Sequence, residues 1–149
     1  MRRSYTRGSE WSLIVFVDSS AFKANYDSSD DHHAEARELM QKIQARKTNI
    51  TSFLTTDFVL DEAITLTRFA HSQSKAAELA DATLASRFTQ LVYTGEEFFS
   101  AGLETFRRHA DKEWSFTDCV SFAVMEAEGV RTAFTFDAHF KQAGFDVVP

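Results

Sequence analysis

The chain has 149 residues, 44% of them hydrophobic and 26% charged, which excludes a disordered chain and fits one domain of ordinary size with a full core. A single cysteine, Cys119, excludes an intrachain disulfide and a cysteine zinc cluster, and fits a reducing, cytoplasmic setting. The net charge of −6 argues against broad nonspecific binding of nucleic acid but not against a nuclease, because clustered carboxylates would add to that charge and bound cations would offset them.

Residues 1–10 read as a flexible N-terminal extension and 11–149 as a single domain. Basic residues precede the apolar run Leu13–Val17, but five residues fall short of the roughly 7–15 of a signal-peptide core. No run approaches the roughly 18 apolar residues of a membrane span, so no membrane association is expected.

Leu13–Val17 predicts a buried strand that ends in Asp18, and "SSAFKANY" a short helix after it. Beyond the polar turn "YDSSDDHH", Ala36, Leu39, Met40 and Ile43 fall at i, i+3, i+4 and i+7 of an amphipathic helix. "TNIT" is a brief strand. "TTDFVLDEAITLTRFA" reads as a helix with a threonine cap and Asp57 in its first turn. A helix at "QSKAAELADATLAS", a strand at "TQLVYT" and a helix from Glu96 to about His109 follow, then the loop "DKEW". "SFTDCVSFAVMEAEG" is an almost wholly apolar helix closed by Gly129. "TAFTF" is a strand that again runs into an acid, Asp137, before a short helix "AHFKQA" and a last strand "FDVV". Strands separated by helices imply an α/β domain with a mostly parallel sheet covered on both faces. Ligands of such sheets bind beyond the carboxyl ends of the strands, where Asp18 and Asp137 both stand.

Three acids have an ordinary explanation as helix starts. Asp18 and Asp137 would cap the helices that follow them, and Ser115-Phe116-Thr117-Asp118 matches a capping box. Glu62 has no such excuse. It falls in mid-helix, with Phe58, Leu66 and Phe69 at i−4, i+4 and i+7, so a lone carboxylate there needs a cation, a proton or a polar cleft. Asp118 has Phe122 and Met125 at i+4 and i+7, which sets it at the edge of a buried face. Several carboxylates brought together repel, and a divalent cation relieves them. With no cysteine cluster and no HExxH pattern among five histidines, the expected ligands are oxygens, which favour Mg²⁺ or Mn²⁺ over zinc.

The segments "FVDSSAF", "TTDFVLDEAITLT", "SFTDCVSFAVMEAEG" and "AFTFDAHFKQAGF" resemble the PIN domain and, within it, the VapC-type toxins of prokaryotic toxin–antitoxin pairs. The match runs in the right order from about Leu13 to Val148. The resemblance implies a three-layer α/β/α sandwich around a mostly parallel sheet, and a metal-dependent ribonuclease leaving 5′-phosphate and 3′-hydroxyl ends. It gives catalytic roles to Asp18, Glu62, Asp118 and Asp137, with Asp18, Asp118 and Asp137 as ligands of Mg²⁺ or Mn²⁺ and Glu62 ligating directly or through water. Ser20 and Thr135 would orient the acids, although the same hydroxyls would serve equally as local caps. The longer head and Ser19, where threonine is frequent, depart from the family pattern without touching its chemistry.

Two other folds with an acid after the first strand fit less well. A dehalogenase-type phosphatase has a second aspartate where this chain has Ser20, and a receiver domain has paired acids where Ser19 follows Asp18. The remaining alternative is a PIN-like module that binds an antitoxin or RNA without catalysis. Arg107, Arg108 and Lys112 are candidates for RNA contact, as are Lys23, Arg68 and Lys141, though charge runs usually form a solvated face. Trp114 would pin its loop to the core or stack on a base. The resemblance further implies a homodimer and a small antitoxin partner. The apolar segments "AELADATLAS" and "FFSAGLETF" could form such surfaces, but the pattern favours core helices.

Overall fold

The computed structural model describes residues 12–149. The expected extension at 1–10 lies outside the described residues. Five strands, β1 (Leu13–Val17), β2 (Ile50–Thr56), β3 (Thr89–Val92), β4 (Thr132–Phe134) and β5 (Asp146–Val148), form one sheet in the order β3-β2-β1-β4-β5. Every pairing is parallel. β1 is central and β4 is added on its other side, so the winding reverses between them. That reversal opens a crevice at the carboxyl ends of β1 and β4. The Asp18 N–H continues the ladder there, donating to the Phe134 carbonyl at 3.1 Å.

The helices are α1 (Ser19–Tyr26), α2 (His33–Gln44), α3 (Asp57–Ala70), α4 (Gln73–Ala85), α5 (Gly95–Arg108), α6 (Phe116–Glu128) and α7 (His139–Gln142). Strand residues alternate between two covered faces, as period-2 geometry requires. Phe16 meets Phe140 of α7, which meets Phe122 of α6. Phe53 and Phe134 face the opposite layer, toward α1, α2 and α4. α3 packs against α1 and α4 and also touches α6. The result is the three-layer α/β/α arrangement anticipated from the alternation of elements.

β2 is longer than the brief strand expected at "TNIT". It runs on to Thr56 because β1 and β3 bond both of its edges. α3 then starts without a loop, its first turn capped by the Thr56 hydroxyl, which accepts from the Val59 N–H at 3.1 Å. Asp57 does more than serve the helix dipole: its Oδ1 also accepts from the Thr94 N–H at 3.1 Å and ties the entry of α5 to α3. α5 and α6 approach closely at Gly102, where an added Cβ would meet Val120 Cγ2 at 2.5 Å. Gly129, with φ 67°, closes α6 in the left-handed region that glycine adopts freely.

α5 corrects one expectation. Gly102 is its buried residue, whereas Phe99 and Phe106 are each 45% exposed, so "FFSAGLETF" is not a core helix. The apolar stripe around Glu62 is likewise open at one end, with Leu66 41% and Phe69 80% exposed. Trp114 is buried against Phe122 and donates its Nε1–H to Gln142, so it pins its loop to the core.

Candidate active site

Asp18 stands immediately after β1, buried to 3% exposure. It occupies the N-cap position of α1 but makes no side-chain capping bond. Its Oδ2 instead accepts two hydroxyls, Ser20 Oγ at 2.9 Å and Thr135 Oγ1 at 2.9 Å. These hydroxyls stitch the two strand ends together: the Phe136 N–H donates to Ser20 Oγ at 3.0 Å and the Asp137 N–H to Thr135 Oγ1 at 3.0 Å. Ser20 and Thr135 therefore join the β1 and β4 ends through one carboxylate rather than acting only as separate local caps.

Asp118 does form the expected capping box. Its Oδ2 accepts from the Ser115 N–H at 3.0 Å while Ser115 Oγ accepts from the Asp118 N–H. The box aims a 6%-exposed carboxyl from the first turn of α6 toward the crevice. Asp137, three residues beyond the end of β4, accepts from the His139 N–H at 2.9 Å. Glu62 reaches the same place from the second turn of α3, its Oε1 taking the Ser19 hydroxyl at 3.0 Å. Four acids from four separate segments thus share one crevice, and the charges of Asp118 and Asp137 act on Glu62 as that of Asp118 acts on Asp18.

Burial sets the titration of Asp18 and Glu62, and the crowding adds to it. Burial, opposed by the Ser20 and Thr135 hydroxyls and reinforced by the Asp118 charge, pushes Asp18 up to about 6. Burial also raises Glu62, with Asp118 and Asp137 adding to it against the Ser19 bond. Burial and the neighbouring Asp118 drive the Cys119 thiol to about 11, so this cysteine stays a protonated core group.

His139 is the residue that sequence reasoning passed over. Its Nδ1 lies 2.8 Å from Asp118 Oδ2 and 3.3 Å from Asp137 Oδ1. Burial lowers its pKa, but the bond to Asp118 and the charges of Asp137, Asp118 and Asp18 outweigh that and raise it. Ligand atoms of Asp118, Asp137 and His139 lie within 4.8 Å of one another, so a ring nitrogen stands beside the expected oxygen ligands. The signal was present in "TFDAHF", where a histidine follows the strand-end acid by two positions.

The carboxyls have the form a cation needs. Backbone donors take one lone pair on Asp118 Oδ2 and one on Asp137 Oδ1, so each carboxyl keeps acceptor positions for an ion. No lysine or arginine among the described residues is paired with any of the four acids. Lys23 is held by Asp27 and Asp30, Arg108 by Glu104 and Lys112 by Asp111. Arg107 is exposed in the last turn of α5.

A strand-end acid joined by hydroxyls to the end of the neighbouring strand, with acids from α3 and α6 turned to meet it, agrees with what sequence comparison finds. The PIN domain profile matches residues 15–146. This chain is a PIN domain. It is 33% identical over 134 residues to the 23S rRNA-specific endonuclease VapC20 of Mycobacterium tuberculosis, covering 89% of this chain and 95% of that one. The crystal structure of M. tuberculosis VapC20, described as a sarcin–ricin loop cleaving toxin, superposes with a TM-score of 0.79 at 30% identity, over 88% of this chain and 95% of VapC20. VapBC2 of Rickettsia felis, solved with a DNA fragment from its promoter, shares the PIN fold at a TM-score of 0.61 and 15% identity, over 91% of this chain and 98% of that one. No helix among the described residues of this PIN domain is long and apolar enough to cross a membrane.

Proposed function

We propose that this chain is a metal-dependent endoribonuclease and the toxin of a toxin–antitoxin pair. The observation that carries the reading is the convergence of Asp18, Glu62, Asp118 and Asp137, from four segments, on the crevice between β1 and β4. Buried like charges are unfavourable unless a cation or proton joins them. Asp18, Asp118 and Asp137 would hold Mg²⁺ or Mn²⁺, with Glu62 ligating directly or through water. A bound ion would supply an acidified water for in-line attack and offset charge on the phosphate.

The chain's own groups supply the orientation. Ser20 and Thr135 fix Asp18, the Ser115 N–H fixes Asp118, and the His139 N–H fixes Asp137. Glu62, half-buried and raised, is the acid suited to exchanging a proton with water or the leaving oxygen. Similarity to VapC20 makes 23S rRNA, and its sarcin–ricin loop in particular, the first substrate to test.

The exposed Leu66 and Phe69 on α3 and Phe99 and Phe106 on α5 suit partner contacts, and we assign them to an antitoxin or to a second copy in a homodimer. The test of the activity is cleavage of ribosomal RNA by purified protein with Mn²⁺ or Mg²⁺, with EDTA, and by a folded Asp118→Asn variant. Discrete cuts that need metal and fall by more than about 100-fold in the variant support the reading. Equal behaviour of wild type, variant and EDTA sample would leave a PIN-like binding module in its place.

A further inference from the structure

His139 opens α7 and turns its imidazole back toward Asp118 and Asp137. Neither carboxylate depends on the ring for its orientation. Asp118 is already held by the Ser115 N–H at 3.0 Å, and Asp137 by the backbone N–H of His139 at 2.9 Å. An ion pair explains one short contact with one acid, but here the same nitrogen approaches two acids, at 2.8 Å and 3.3 Å. Neighbouring ligands of one octahedral ion with bonds of about 2.1 Å stand about 3 Å apart. The two separations bracket that value, and ligand atoms of all three side chains fall within 4.8 Å of one another.

Resting on the metal-dependent reading above, we propose that His139 Nδ1 is a nitrogen ligand of the ion held by Asp118 and Asp137, and that it biases the site toward Mn²⁺ and other first-row transition ions over Mg²⁺. Imidazole suits transition ions, whereas Mg²⁺ is bound almost entirely through oxygen. Ligation through Nδ1 would use the ring lone pair and leave one ring proton on Nε2; the Nδ1–H bond to Asp118 would be given up and its proton released to water.

The test reads metal binding without RNA. Pulsed electron paramagnetic resonance of the Mn²⁺-loaded protein is expected to show nitrogen hyperfine coupling. That coupling should change when the wild-type chain carries isotope-labelled histidine, a control that needs no substitution, and should vanish in His139→Asn. Calorimetric titration should find Mn²⁺ affinity lowered by about 10–100-fold in His139→Asn while Mg²⁺ affinity moves far less.

Mn²⁺ bound by wild type without nitrogen coupling, or an equal loss of both ions in the variant, overturns the assignment and makes His139 an ion-pair partner. If that Mn²⁺ is still lost in Asp118→Asn, the nuclease reading stands and the histidine assignment alone falls. If wild type binds neither ion, both fall together.

Discussion

The acid crevice and a large apolar cavity lie one residue apart on the same two strands. Val17 and Phe134, the last residues of β1 and β4, line a cavity of about 710 Å³ together with Phe22, Met40, Ile43 and Phe53. The next residues, Asp18 and Thr135, bond to each other in the crevice. By volume and apolar lining the cavity would be the default ligand site. It contains none of the four acids, however, and the raised carboxyls Asp18 and Glu62 both belong to the crevice. Unfilled apolar volume records where side chains failed to meet. Like charges gathered at a cost in burial call for a ligand to offset them.

Phe53→Ala removes a core ring that packs edge-on against Phe88 and should cost about 3–5 kcal/mol of stability, read from urea unfolding. Cleavage per folded molecule should stay unchanged; a selective loss of activity would bring the cavity into the function.

Asp18→Asn should act in the reverse sense. Cleavage falls by more than about 100-fold, while the metal-free variant is more stable than wild type at pH 7. Asp18 rises from 3.8 to about 6 on folding, so the folded state holds this proton more tightly than the unfolded one. Below about pH 4 the group is neutral in both states and costs nothing; as pH rises to 6 stability is lost, reaching about 3 kcal/mol and staying lost above. Unfolding in EDTA from pH 4 to 7 measures this, and identical profiles for wild type and variant would remove Asp18 as the strained group.

Thr135→Val deletes the hydroxyl that donates to Asp18 and accepts from the Asp137 N–H, with little change of shape. Activity should fall by about 10-fold, with the loss in kcat rather than in RNA affinity. Smallest is Arg108→Ala. Its pair with Glu104 is exposed, so stability moves by less than about 1 kcal/mol. The salt dependence of RNA binding should weaken by about one unit of slope, and an unchanged slope would assign Arg108 to the solvated surface.

Much of the architecture was legible because hydrophobic period is a local property. The five strands, the capping box at Ser115 and the glycine stop at Gly129 are set by neighbours within a few residues. In α5 periodicity reports an apolar face without saying what covers it, and Phe99 and Phe106 pack against Phe116 while staying 45% exposed. Asp18 was ambiguous for a related reason: its position after β1 suits a cap, and only the hydroxyl of Thr135, 117 residues away, shows where the carboxylate is bound.

The sequence by itself determined the alternation of strands and helices, and with it a parallel sheet with acids at its carboxyl edge. It also marked Glu62 as a carboxylate without a local reason. Only the tertiary structure decided which of the acids meet, that Ser20 and Thr135 hold the same oxygen, and that the His139 ring closes on Asp118. The physical reason is range. Helix, strand and cap are decided over a few residues of chain, whereas charge crowding, burial and ligand geometry arise where the winding of the sheet reverses and brings distant segments within bonding distance.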